Sequence, residues 1–76
     1  KEYFDNLVSM LNSKKYLNRG SVVNILNYIA NEDNRDMIIK VLLEHKKKET
    51  AMSVVYTIND VIKEIEEMDE DEESDE

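Results

Sequence analysis

Acidic residues fill the end of this chain and limit how much of it can form a hydrophobic core. Ten of the last 13 residues are Asp or Glu and none is basic, whereas residues 1–63 carry ten basic and eight acidic residues, a net charge of +2. Because nothing apolar follows Met68, only about 65 residues can build a core, and such a domain buries only about 60% of its unfolded surface. We therefore predict one domain, with a body at residues 1–65 and an acidic tail at residues 66–76.

Apolar residues in the body recur at the spacing of an α-helix and predict three amphipathic helices. The stripes are Phe4, Leu7, Val8 and Leu11, then Val22, Ile25, Leu26 and Ile29, then Ile38, Val41, Leu42 and His45. We expect the first helix to end near residues 13–15. Gly20 predicts a sharp corner before the second helix, and Ser21 its N-cap. The polar run at residues 31–34 predicts the connection to the third helix.

The fourth apolar segment predicts the longest helix. Its residues step by four and three as in the a and d positions of a heptad, from Thr50 to Met68. They are Ala51, Val55, Ile58, Ile62 and Ile65, and Val54, Val61 and Met68 repeat by sevens beside them and widen the stripe. Residues 52–58 are also rich in β-branched side chains, which are typical of strands, but no second segment is suited to pair with them. The sequence therefore predicts an all-α protein, a small bundle of three or four helices.

The apolar stripe of the fourth helix has two possible uses. It can pack on the first three helices, or it can form a homodimer interface, because a small helical domain without disulfide or metal is often stabilised by association. The dimer interpretation assigns the contact to Val55, Ile58, Ile62 and Ile65. Both interpretations remain open at the level of sequence.

The composition argues against enzyme classes that need a recognisable set of reactive groups. The chain has no Cys, one His and one Gly, which excludes thiol nucleophiles, disulfides, multi-His metal centres and glycine-rich phosphate loops. No nucleophile–base pair is readable. We expect no catalysis, no cofactor, no metal and no small-molecule substrate, and we interpret His45 as a packing residue at a helix end. No apolar run approaches the length of about 20 residues that spans a bilayer, so we expect no membrane contact.

Two basic clusters lie in the body, one at Lys14, Lys15 and Arg19 and one at Lys46–Lys48. Lysines of this kind can contact phosphates. A body of charge +2 tethered to a segment of charge −10 is poorly suited to direct nucleic-acid binding. We therefore expect these residues to cap helices and pair with acids.

The acidic tail has a simple interpretation as a disordered solubility tail and a functional one as a substitute for DNA. If the fourth helix continues, its acids are spaced at one per roughly 2 Å, close to the one charge per about 1.7 Å of duplex DNA. A basic, DNA-binding protein would then be the partner. The residues assigned to this contact are Glu64, Glu66, Glu67, Asp69, Glu70, Asp71, Glu72 and Glu73.

In size, acidity and lack of catalytic groups, the chain resembles the small DNA-mimic proteins of phages, and among them the Twort-type staphylococcal phage inhibitors of the bacterial sliding clamp. The resemblance implies a non-catalytic inhibitor of DNA replication in the bacterial cytoplasm, with a sliding clamp or a nucleoid protein as its target. The resemblance assigns no role to any individual residue of this chain. Two alternatives remain: a structural interaction module of a helical assembly, and a small nucleic-acid-binding regulator with an autoinhibitory acidic tail.

Overall fold

Four helices joined by short turns form a small all-α bundle. The computed structural model describes the backbone of residues 2–74 and the side chains of residues 2–68. α1 spans Glu2–Met10, α2 spans Tyr16–Ile29, α3 spans Arg35–Lys46 and α4 spans Met52–Ser74. Within these residues no strand is present, so the all-α prediction is confirmed, including the helical assignment of residues 52–58.

One hydrophobic core holds the four helices together. α4 packs mainly on α2 and less extensively on α3, and α1 packs on α2. All three predicted stripes contribute to this core, because each presents leucine, isoleucine or valine every three or four residues. The buried apolar residues are Leu7, Leu11, Val22, Val23, Leu26, Ile38, Leu42, Val54, Ile58, Val61 and Ile65.

Polar contacts fix which helix ends lie together. At one end of the bundle, Lys48 Nζ donates to Asn12 Oδ1 at 3.1 Å, which joins the segment after α3 to the segment after α1. At the other end, Asn27 Nδ2 in the last turn of α2 donates to Glu64 Oε1 of α4 at 2.9 Å. α4 therefore starts beside the start of α2 and runs in the same direction.

The predicted corner at Gly20 is wrong, because Gly20 lies inside α2 and its φ is not positive. The turn falls earlier, where Ser13 Oγ accepts hydrogen bonds from the Lys15 backbone N–H and from Asn18 Nδ2, both at 3.3 Å. Lys15 rather than Ser21 precedes the first residue of α2. α1 ends at Met10, before the predicted range of residues 13–15.

Gly20 offers a direct test of this helix assignment. A Cβ at position 20 would meet nothing within 4 Å, so Gly20→Ala should raise the free energy of unfolding by about 0.5–1 kcal/mol, as expected for glycine in a helix interior. Urea unfolding followed by circular dichroism measures this change. A lower stability of the alanine variant would contradict a helical backbone at residue 20.

The apolar stripe of α4 faces the chain's own core, with its centre one position away from the predicted seam. Val54, Ile58, Val61 and Ile65 form the buried line, while Val55 and Ile62 are only half-buried at its edge. Ile58 and Ile65 are thus buried in the core of their own chain. They are two of the four residues assigned to a dimer contact. Dimerisation through α4 stays a prediction, now limited to its edge.

Ile62 is the position that tests this dimer. Because Ile62 is half-buried, Ile62→Glu adds a charge at the edge of the stripe without opening the core, and it should dissociate a dimer while helical content is kept. Ile58→Ala is the matched control, which should cost about 2–5 kcal/mol of folding free energy whatever the oligomeric state. Sedimentation equilibrium over a wide concentration range measures the association. A wild-type chain that stays monomeric throughout would exclude the dimer.

Candidate partner-binding site: an acidic helix end and a basic pole

α4 continues beyond the part of the helix that the core needs. Ile65 is its last fully buried residue and Met68 packs only partly against the core, yet the helix runs on to Ser74. Six further residues add about 9 Å of helix. We call residues 64–74 the acidic end, because eight of these 11 residues are Asp or Glu.

The first three acids of the acidic end are described by the structure, and all three are exposed. They are Glu64, Glu66 and Glu67. Glu64 accepts the hydrogen bond from Asn27, so its carboxylate lies against α2 at the point where the acidic end leaves the body. The side chains of the remaining assigned acids, and residues 75 and 76 of the predicted tail, lie outside the described residues. Their positions on the helix follow from the backbone of α4 through Ser74.

The run of acidic residues at the C-terminus of α4 destabilises this helix. Carboxylates near a helix C-terminus interact unfavourably with the helix dipole, and the last turn of α4 contains no basic residue. Like charges four residues apart add a cost of about 0.2–0.5 kcal/mol per pair. Lysine and arginine side chains of a partner would remove both costs, so the acidic end is suited to a cationic surface.

At the opposite end of the bundle, the two basic clusters of the sequence come together. The hydrogen bond from Lys48 to Asn12 brings the segment after α3 to the turn between α1 and α2. We call the lysines of these two segments the basic pole. They are Lys14, Lys15, Lys46, Lys47 and Lys48, of which all but the half-buried Lys46 are exposed.

A buried carboxylate organises the basic pole. Arg19 Nε donates to Glu49 Oε1 at 2.9 Å, and Arg19 Nη2 donates to Oε2 at 2.7 Å. His45 Nε2 lies 2.6 Å from Glu49 Oε1, and the Ala51 backbone N–H donates to Oε2 at 3.0 Å. The side chains of Arg19, Glu49 and His45 are 13%, 0% and 7% exposed. One carboxylate therefore connects α2, α3 and the residue before α4.

These contacts keep Glu49 ionised. Hydrogen bonds from Arg19 lower the pKa of Glu49 to about 2; burial opposes the shift, and the Ala51 N–H, His45 and the charge of Arg19 reinforce it. The same hydrogen bonds raise the pKa of the Arg19 guanidinium above its ordinary value. Because the folded pKa of Glu49 is lowered, its contribution to stability is present above about pH 4.5 and is lost as the pH falls towards 2.

Sequence reasoning missed the role of Glu49. It placed Arg19 in a basic cluster and His45 in a packing role at a helix end, and His45 is indeed buried at the end of α3. The available signal was the spacing of four between His45 and Glu49, together with an acid that directly follows the basic run Lys46–Lys48. That spacing does not identify Arg19, which is 30 residues away.

Among the described side chains, no group of three or more His, Cys, Asp and Glu is arranged to hold a metal ion. None of the described helices is long and apolar enough to cross a membrane.

Comparison with known proteins gives no assignment. No protein-family model matches the chain, and no curated protein or solved structure matches it.

Replacing Glu49 should reveal its contribution through pH. Glu49→Gln should lower the free energy of unfolding near pH 7 by about 1–3 kcal/mol, because it removes the charge from a buried set of hydrogen bonds. The difference from wild type should shrink as the pH falls from about 4.5 towards 2, where the wild-type carboxyl becomes protonated. Urea unfolding at several pH values measures both. Glu44→Gln, at an exposed acid on α3, is the control and should show neither effect; a pH-independent gap for Glu49→Gln would contradict this role.

Proposed function

We propose that the protein is a non-catalytic inhibitor whose acidic end binds the basic, DNA-binding surface of another protein and excludes DNA from it. One observation carries this proposal: α4 continues as a helix past its last core residue and holds eight acids between residues 64 and 74. At about 1.5 Å per residue these acids are spaced at one per roughly 2 Å, against one per about 1.7 Å in duplex DNA.

The binding energy in this proposal comes from exchange of counterions. The acidic end releases the cations that accumulate around it when lysines and arginines of a DNA-binding surface neutralise its carboxylates, as DNA does when its phosphates are neutralised, so the two ligands compete for the same lysines and arginines. Binding also relieves the repulsion along the acidic end. The resemblance in size and charge to phage DNA mimics suggests two bacterial targets for a first test, a sliding clamp and a nucleoid protein.

The layout of the bundle favours this function over a regulator that its own tail inhibits. The basic pole surrounds the start of α4, whereas the acidic end begins 12 residues later, about 18 Å along the helix, and extends to about 33 Å. Charges in physiological salt are screened over about 8 Å. A tail that continues α4 leads away from the basic pole, which supports action on a separate partner.

A structural interaction module is the second candidate, and the exposed side of α4 favours it. Val55 and Ile62 are half-buried, and Met52 and Tyr56 are 57% and 60% exposed. Apolar association through this face would respond weakly to salt, whereas binding by the acidic end weakens steeply with salt. Salt dependence therefore separates the two functions.

Removal of the acidic residues tests the inhibitor directly. Truncation after Met68 keeps the partly buried methionine and lowers the number of acids from 18 to 11 against ten basic residues. The truncated protein should keep its helical body and lose the ability to displace fluorescent duplex DNA from a sliding clamp or a nucleoid protein. For the full chain, the log–log plot of affinity against salt should have a slope of several units.

Two full-length variants serve as controls for this experiment. Shuffling the order of residues 69–76 keeps the charge and should keep most of the binding. Replacing the Glu and Asp residues of this segment by Gln and Asn keeps the length and should abolish binding. Equal affinity of the truncated and full-length proteins would reject the inhibitor function and place the binding surface on the body.

A further inference from the structure

The basic pole holds more positive charge than its acidic neighbours neutralise. Glu44 is exposed on α3, three and four residues before Lys47 and Lys48, and offsets about one of the five lysine charges. Glu49 lies in the same segment as three of the five lysines, but its carboxylate is fully buried and is already bound by Arg19, His45 and the Ala51 N–H. The charge of Glu49 is thus satisfied by groups other than the lysines of the pole. Their ammonium groups therefore remain the dominant charge of this end of the bundle.

The helix dipoles do not change the sign of the pole. α2 and α4 begin there and α1 and α3 end there, as the contacts of Asn12, Arg19 and Lys48 show. The partial charges of two helix N-termini and two C-termini largely cancel. The charge of the pole is thus set by the side chains of its lysines.

The acidic end of the same molecule points away from these lysines. It leaves the body at the opposite end, where Glu64 binds Asn27, and it lies about 18–33 Å along α4 from the start of the helix. That separation is more than twice the screening length of about 8 Å in physiological salt. Each end therefore presents its own charge to a neighbour, although the chain as a whole has a net charge of −8.

We propose that the basic pole of one molecule binds the acidic end of a second copy, head to tail. In this contact the lysines of the pole pair with the carboxylates of the neighbouring helix, of which there are at most eight. The same kind of ammonium–carboxylate pair would form with the DNA-binding partner of the proposed function. The interface joins two different surfaces, so it leaves a free pole and a free acidic end and does not close by symmetry. The net charge of each added copy limits growth to short oligomers.

This inference uses the same acidic end as the proposed function but needs no foreign partner. Self-association covers acidic ends, so it competes with binding to a DNA-binding protein. A high concentration of the protein should therefore reduce the fraction of acidic ends that can act as an inhibitor.

Two complementary variants test the contact. The first is truncated after Met68 and keeps the basic pole. The second keeps the acidic end and carries Lys14→Gln, Lys15→Gln, Lys46→Gln and Lys47→Gln, with Lys48 retained because it holds Asn12. Sedimentation velocity in about 0.1 M salt, where screening acts over about 10 Å, should show each variant as a monomer alone and a 1:1 complex when they are mixed. The complex should dissociate in about 1 M salt, where screening acts over about 3 Å.

Further variants keep this test decisive. If the fourfold variant loses helical content, the exposed pair Lys14→Gln and Lys47→Gln replaces it as the acidic-end variant. The same pair introduced into the truncated chain, which supplies the pole of the mixed complex, should weaken that complex by at least about tenfold, as expected for two lost charge contacts. A truncated chain whose Lys14, Lys15, Lys46 and Lys47 are replaced by Arg keeps the charge of the pole and should still associate with the acidic-end variant. Absence of a complex in the mixture would overturn the proposal, as would association that persists in high salt. Short duplex DNA that binds the pole and is not displaced by the acidic-end variant would instead identify a nucleic-acid surface. None of these measurements involves a foreign DNA-binding protein, so this proposal and the inhibitor function can fail independently.

Discussion

The buried carboxylate of Glu49 is the interaction on which the arrangement of the bundle depends. It accepts hydrogen bonds from Arg19 of α2 and from the Ala51 N–H, and it lies against His45 of α3. A buried charge is tolerated only when it is paired and hydrogen-bonded, so these partners must come together whenever the chain folds. Their assembly places the start of α4 beside the start of α2, and packing between these helices together with the hydrogen bond from Asn27 to Glu64 keeps α4 parallel to α2.

The direction of α4 separates the charges of the chain. Its apolar stripe is covered by α2 and α3 up to Ile65 and packs partly on the core at Met68, and residues 69–76 contain no apolar residue that could extend the core. The acids are therefore carried out of the bundle at the end that lies away from the basic pole. The net charge of −8 does not describe what a partner encounters. Because charges are screened over about 8 Å, a partner at one end of the bundle interacts with the charge of that end and not with the total charge of the chain. The proposed inhibitor function and the head-to-tail contact both depend on this separation.

Local patterns predicted most of the fold because each helix has its own apolar stripe. Leu7, Leu26, Leu42 and Ile58 were assigned to stripes by spacing alone, and all four are buried. Gly20 was misplaced because its conformational freedom permits a corner without requiring one, and the turn was determined by Ser13 and Asn18. The sequence pattern centres the α4 stripe on Val55 and Ile62, whereas the core is centred on Val54 and Val61. A wide apolar stripe is compatible with several rotations of the helix about its axis, and packing against the neighbouring helices selects one of them.

The sequence by itself determined that this chain forms helices, that its core ends near Met68, and that its acids follow one another without a base. These properties depend on the order and spacing of residues along the chain, and interactions between residues close in sequence are enough to determine them. Only the tertiary structure decided that Lys14 and Lys48 share one end of the bundle, that Glu49 is buried against Arg19, and that the acidic end leaves from the other side. Such contacts join residues about 30 positions apart, and they are fixed by how the helices pack and by the need to pair a buried charge.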